Sequence, residues 1–235
     1  MRAIYQPFPM LPDRLAQVWH HQPSFRRPRH FHAEPELNIV TRGRGVLAVG
    51  SRQLTLGAGS AVLLQPGQDH ELLDESQDFE LFVLALRPEL AAHFRVPSTR
   101  RTDCVALDAP TLRALRERLR AVGDVAETSA VERVLGEQFA ELASRFEQPS
   151  ALGRRAVAAI QTDLDVSEVH VADGLRAHPS KVSRAVRDAL GMRLVDYRVH
   201  LRLMKFIRSV DAGQSLTQAA FASGFGSYAQ CHRAF

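Results

Sequence analysis

Short runs of apolar residues, broken by Gly and Pro, characterise the chain between about residues 24 and 86. The runs are ELNIVTR, GVLAVG, RQLTLGAG, SAVLLQPG and FELFVLAL. The glycines that separate them are Gly43, Gly45, Gly50, Gly57, Gly59 and Gly67. Short, closely spaced runs of this kind predict an antiparallel β-barrel or sandwich whose turns lie at the glycines.

Further along the chain the apolar residues follow the period of a helix. TLRALRERLRAV predicts a helix that begins at Pro110 and is capped by Asp108. A second helix is predicted from about residue 127 to 146. Its apolar stripe consists of Val131, Val134, Leu135, Phe139, Leu142 and Phe146. The stripe has two interpretations: the helix packs on its own barrel, or it pairs with a second subunit in a homodimer.

The segment EQPSALG, residues 147–153, is predicted to be a linker because it holds Pro, Ser and Gly between two helical patterns. Beyond it the pattern is helical throughout, at about 154–162, 169–176, 179–190, 194–210, 216–223 and 228–235. We therefore expect an α+β protein. An antiparallel barrel with trailing helices would occupy residues 1–147, and an all-α domain residues 153–235.

Charge is distributed unevenly along the chain. Residues 1–150 hold 18 Lys and Arg against 19 Asp and Glu, a net charge of −1 (18 − 19), whereas residues 151–235 hold 12 against 7, a net charge of +5 (12 − 7). The positive C-terminal part is typical of a domain that meets phosphate, although a solvated basic helix surface would look the same. No apolar stretch is long enough for a membrane span and the N-terminus lacks a secretory signal, so we expect a cytoplasmic protein without a membrane partner.

Two helix-turn-helix patterns are present in the C-terminal part. In VADGLRAHPSKVSRAVRDAL the apolar residues Ala172, Leu175, Val182 and Val186 are spaced to face inward. The residues left outside are Ser180, Lys181, Ser183, Arg184 and Arg187. All five can donate hydrogen bonds, which suits a helix that lies in the major groove of DNA.

The second pattern is SLTQAAFASGFGSYAQCHRAF. Ser215 with Gln218, and Ser227 with Gln230, have the spacing of a capping box, so both helix starts are specified locally. Gly224 lies where a tight turn needs a positive φ, and Phe225 is expected to enter the core. Helices joined by such turns also occur in bundles that bind nothing, and that alternative stays open here.

The run from Ser215 to Phe235 resembles the second helix-turn-helix signature of the AraC/XylS family, and Gly191, Tyr197 and Arg202 match the family between the two units. The resemblance implies a sequence-specific transcription regulator of the cytoplasm whose partners are double-stranded promoter DNA, a small-molecule effector and RNA polymerase. It implies DNA contacts from the first recognition helix through Ser180, Lys181, Ser183, Arg184 and Arg187, and from the second through Ser227, Tyr228, His232 and Arg233.

The sequence departs from this family at three positions, where His178, Val186 and Cys231 replace the usual residues. The family also continues beyond the position that corresponds to Phe235, so we expect the form ending there to be truncated. Whether transcription rises or falls is left open.

HFHAEPELNIVTRG contains a further group of chemically active residues. His30 and His32 share one face of a strand, and Glu36 joins them if Pro35 does not break the pleat. The spacing is similar to the first cupin motif, and LLQPGQDH with His70 loosely matches the second. Three imidazoles and a carboxylate would suit a divalent metal such as iron, manganese, nickel or zinc.

Three interpretations of His30, His32, Glu36 and His70 remain open. They line an effector pocket in a regulator, or they hold a metal in a cupin enzyme of the dioxygenase or isomerase type, or in a metal-storage protein. An enzyme would leave the two helix-turn-helix units without a role, so we expect a regulator and no catalytic residues. An effector in the barrel would then shift the population that is competent to bind DNA.

Overall fold

A computed structural model describes residues 3–21, 23, 27–97, 99–101, 103–122 and 128–235. The strands in these residues are β1 (Ile4–Tyr5), β2 (Ala16–His21), β3 (His30–Phe31), β4 (Glu36–Arg42), β5 (Arg44–Val49), β6 (Arg52–Gly57), β7 (Ser60–Leu64), β8 (His70–Glu75), β9 (Glu80–Leu86) and β10 (Cys104–Ala106). The helices are α1 (Pro88–His93), α2 (Ala109–Ala121), α3 (Thr128–Ser144), α4 (Ala151–Thr162), α5 (Glu168–Gly174), α6 (Pro179–Leu190), α7 (Leu194–Asp211), α8 (Leu216–Ala222) and α9 (Tyr228–Ala234).

The strands form two five-stranded sheets, in the orders β1-β3-β8-β5-β6 and β10-β7-β4-β9-β2. Strand pairs are antiparallel except for β1 and β3. The helical elements then follow, which confirms the predicted α+β class, with a jelly-roll-like pair of sheets as the antiparallel barrel. No helix in the described ranges is long and apolar enough to cross a membrane.

The central strands of the second sheet, β7, β4 and β9, are buried on both faces, which explains why their sequences are nearly continuous apolar runs. Leu37 and Ile39 of β4 belong to a core shared with α2 and α3, whereas Val40 of the same strand belongs to the core between the sheets. Leu63 and Leu64 of β7 divide in the same way. Successive side chains of these strands point to opposite faces of the sheet, so each strand contributes both to the core under α2 and α3 and to the core between the sheets.

Helix α3 packs on its own sheet. Val131, Leu135, Phe139 and Leu142 are buried in the core that includes β4 and β9. Of the two interpretations of the stripe, the structure thus supports packing on the barrel, and this apolar face is not available to a second subunit. Residue 127, where the helix was expected to begin, lies outside the described residues.

Helix α4 begins earlier than the pattern predicted. The Ser150 hydroxyl accepts a hydrogen bond from the Gly153 amide at 3.1 Å and caps a helix that starts at Ala151, not at residue 154. The connection between the sheet part and the helical part is therefore shorter than residues 147–153.

Strands β2 and β8 were also not predicted, because their sequences AQVWHH and HELLDE are rich in polar residues.

Candidate functional site: recognition helices and a histidine-lined cavity

The first recognition helix, α6, is strongly amphipathic. Val182 and Val186 are fully buried, whereas Ser180, Lys181, Arg184 and Arg187 are exposed and Ser183 is half-buried. His178 takes the place of the usual serine as N-cap, since its Nδ1 accepts a hydrogen bond from the Ser180 amide. Gly191 ends the helix with φ +71°, a conformation that favours glycine.

The second unit is specified by its caps. Ser215 and Gln218 form a complete capping box at the start of α8. Ser227 caps α9 by accepting from the Gln230 amide at 3.1 Å, but the Gln230 side chain accepts from the Gly226 amide instead of the Ser227 amide. Gly224 has φ +84° and Phe225 is buried, as predicted.

Helices α6, α7 and α9 all contribute residues to one cleft. Arg187 of α6 and Arg233 of α9 line one cleft of about 940 Å³, together with Arg29 and Asp69 of the N-terminal part. Tyr228 and His232 are exposed outside this cleft, and Ser227 is half-buried at the cap. Of the sequence-predicted DNA-binding residues, the structure thus brings Arg187 and Arg233 together in a cleft shared with the sheets, which no local pattern indicated.

The three predicted histidines come together between the two sheets. The imidazoles of His30, His32 and His70 are buried, and their potential ligand nitrogens lie within 4.8 Å of one another. His30 and His70 are direct partners across β3 and β8, with ring centroids 4.2 Å apart. We call these three residues the histidine cluster.

Glu36 joins the histidine cluster although the pleat is broken before it, since β3 ends at Phe31 and β4 begins at Glu36. Its Oε2 lies 2.9 Å from His32 Nε2 and 3.7 Å from His70 Nε2. Asn38, which the sequence did not single out, donates to Glu36 Oε1 at 2.7 Å. The four predicted residues therefore share one site.

The electrostatics of the site keep the carboxyl ionised and two of the rings neutral. Burial by itself would raise the pKa of Glu36, but His70 together with hydrogen bonds from His32 and Asn38 lowers this pKa to about 2. Burial lowers the pKa of His70 to about 3 and also lowers the pKa of His30. Neutral imidazoles with free lone pairs are good ligands for metal ions.

A cavity of about 280 Å³ lies between the sheets and opens beside the histidine cluster. Its polar lining includes His30, Glu36 and His70. Its apolar lining comes from both sheets and the N-terminal segment: Phe8, Trp19, Leu47, Leu56, Leu72, Phe79, Leu81 and Val83. Sequence reasoning did not find these apolar residues, because nothing local distinguishes a cavity-lining side chain from a core one.

The donor set fits a divalent transition metal. Three imidazole nitrogens and one carboxylate oxygen are ligands that zinc, nickel, iron and manganese accept. With metal–nitrogen bonds of about 2.1 Å, two nitrogens of a tetrahedral site lie about 3.4 Å apart. The most separated ring nitrogens, at up to 4.8 Å, would have to approach by rotation of the rings.

The segments that carry the histidine cluster also carry the contact with the C-terminal helices. Phe31, between His30 and His32, is fully buried in the core of the helical part. Gln68 donates its Nε2 hydrogen to the Leu190 carbonyl at 2.7 Å, and His200 donates Nδ1–H to the Gly67 carbonyl at 2.9 Å. Two short peptide segments beside the cavity thus contact helices α6 and α7.

Comparison with known protein families gives two matches. The sequence matches the AraC-like ligand binding domain over residues 12–145 and a helix-turn-helix domain over residues 171–235. No protein of curated function matches it.

Among solved structures, apo ToxT from Vibrio cholerae strain SCE256, in a single-site variant, is similar with a TM-score of 0.54 and 14% identity, over 95% of this chain and 93% of that one. Wild-type ToxT of the same strain, bound to an unsaturated fatty acid, gives 0.53 and 14% over 94% and 90%. ToxT from strain O395 gives 0.51 and 11% over 94% and 91%. At such identities the similarity shows a shared fold.

Proposed function

The chain belongs to the AraC family of transcription regulators, and from this premise we propose that α6 and α9 bind promoter DNA while an effector in the cavity sets the affinity. The sensor would comprise residues 1–147 and the reader the helices from α4 onward. Such a regulator works in the cytoplasm beside RNA polymerase. A homodimer would have to use a surface other than the stripe of α3, which is buried in its own subunit.

The observation that carries this proposal is that α6 and α9 are both capped, both expose polar and cationic residues, and both pack against α7. With 18 residues, α7 is roughly 27 Å long. Successive turns of the major groove lie about 34 Å apart, a comparable separation. Exposed residues at the start of each helix, such as Ser180 and Tyr228, would then meet base edges, and exposed cations such as Lys181 and Arg184 would meet bases or phosphates.

Effector control is supported by the shared segments. A ligand that displaces the backbone at His30 or His70 would also displace Phe31 or Gln68, which contact the helical part. A ligand can change DNA affinity in this way only if its contacts with the cavity differ between the DNA-binding state and the other state of the protein. The cupin-enzyme alternative uses the same histidine cluster but assigns no role to α6 and α9.

The proposal is tested by gel shift with the full chain and the intergenic DNA upstream of its gene. Arg184→Ala on α6 removes one exposed guanidinium, and a base contact of about 1–3 kcal/mol predicts a loss of roughly five- to 150-fold in affinity. Arg155→Ala, which removes an exposed arginine of α4, is the matched control and should change affinity little.

Equal effects of the two variants, or equal binding to unrelated DNA of the same length, would contradict the proposal. The affinity should also fall steeply with salt, as released counterions require.

A further inference from the structure

We propose that the histidine cluster holds one divalent transition-metal ion and that the side of this ion facing the cavity coordinates the polar head of an apolar effector. The inference rests on the proposed function, because it names the chemistry by which the cavity recognises its ligand. It assigns to His30, His32 and His70 a task beyond lining a pocket.

The hydrogen bonds of the three imidazoles support a metal. Each Nδ1 faces a backbone carbonyl: His30 faces Pro28 at 2.8 Å, His32 faces Glu34 at 2.8 Å and His70 faces Gln68 at 3.1 Å. A carbonyl can only accept, so each Nδ1 carries the proton and each Nε2 is left as the available ligand atom. Histidines that bind metals are held in this way by an outer hydrogen bond that fixes tautomer and ring orientation.

The contact between His32 and Glu36 places two potential metal ligands side by side. His32 Nε2 lies 2.9 Å from a Glu36 carboxylate oxygen, while Nδ1 already donates to the Glu34 carbonyl. Without a metal, Nε2–H donates a hydrogen bond to Glu36; a divalent metal ion would replace that proton and be bound by both groups.

The cavity beyond the site is asymmetric. The metal-binding groups form one pole, whereas Trp19, Leu47, Phe79 and Leu81 provide apolar walls around the remaining space. An effector that matches both would have an apolar body and a head able to coordinate a metal, for example a carboxylate. Such a head compensates the charge of the ion, while the body gains from burial.

The same cavity offers matched controls. His20 also lines it, but its Nε2 lies 3.6 Å from Glu80 on the neighbouring strand, and it does not belong to the histidine cluster. The sole tryptophan of the sequence, Trp19, lies in the wall and makes intrinsic fluorescence a reporter of cavity occupancy.

The first experiment measures metal binding by the full chain after removal of bound ions. We expect one equivalent of Zn²⁺ or Co²⁺ by elemental analysis and absorption bands of protein-bound Co²⁺. His70→Ala and His70→Gln should each weaken Co²⁺ binding more than tenfold, while His20→Ala should leave it unchanged. Circular dichroism shows whether each variant is folded. Substoichiometric binding by the folded wild type, or equal losses in the His70 and His20 variants, would overturn the proposal.

The second experiment uses octanoate and octanol as probes and follows the fluorescence of Trp19. We expect octanoate to bind at least tenfold more tightly to the Zn²⁺-loaded chain than to the metal-free chain, and octanol to show no such difference. Equal binding of octanoate with and without Zn²⁺ would overturn the assignment of the metal as the anchor. Gel shift of the metal-free chain tests the proposed DNA binding separately, so the two failures are distinguishable.

Discussion

The ring of Phe31 lies parallel to the imidazole of His200, with 3.9 Å between the centroids and 7° between the planes. Phe31 belongs to β3 together with His30 of the histidine cluster, and His200 belongs to α7, which separates the two recognition helices. Because His200 also donates to the Gly67 carbonyl, it contacts both segments that hold the cluster. This pair therefore links the segments beside the cavity to α7.

We expect His200→Leu to weaken the contact between the two parts while each keeps its fold. The variant loses one hydrogen bond and one aromatic contact, each about 0.5–1.5 kcal/mol. Proteolysis around residues 145–150 should become faster, and thermal unfolding should separate into two transitions. His232→Leu, at an exposed histidine of α9, is the control. Unchanged proteolysis and a single transition at the wild-type temperature would contradict this role of His200.

Gly50 lies against Gly191 at the same contact, and we expect Gly50→Ala to push the two parts of the chain apart. A Cβ on Gly50 would come within 2.3 Å of the Gly191 carbonyl oxygen, and the backbone there has φ +58°. The measurements are the melting temperature and the radius of gyration by small-angle X-ray scattering. Melting should occur at a lower temperature and the radius of gyration should increase.

Two further glycines separate the causes of that effect. Gly213→Ala places the new methyl group in open space at φ +88°, so it reports backbone strain alone. Gly57 has open space around it and no positive φ, so Gly57→Ala should change the melting temperature and the radius of gyration very little. If Gly50→Ala behaves like Gly213→Ala, the close approach of the two glycines does not hold the parts together.

Ser215→Ala tests the capping box of α8. Its hydroxyl accepts from the Gln218 amide, and loss of such a cap costs about 0.5–2 kcal/mol. Urea denaturation should show a lower free energy of unfolding, and operator affinity should fall because α8 supports α9. Thr217→Ala, at the exposed second residue of the same helix, should have a much smaller effect. Equal changes in both variants would show that the box does not stabilise the helix.

Local chemistry made much of this protein predictable from its sequence. The caps at Ser215 and Ser227, the turn at Gly224 and the bounds of α6 depend on residues within four positions of one another. The apolar runs of β4, β7 and β9 were evident for the same reason, because strands buried on both faces need continuous apolar sequence. His30, His32 and Glu36 were found through their spacing alone.

Long-range packing decided the rest. His70 reaches His30 because β8 pairs with β3 across 40 positions of sequence, and Trp19 lines the cavity because β2 pairs with β9. Phe31 has no neighbour in sequence that marks it as an interface residue, yet it lies in the core of the helical part. Contacts between distant segments depend on how whole sheets and helices pack, and the spacing of apolar residues along the sequence does not determine that packing. Only the tertiary structure could therefore connect the cavity with α7.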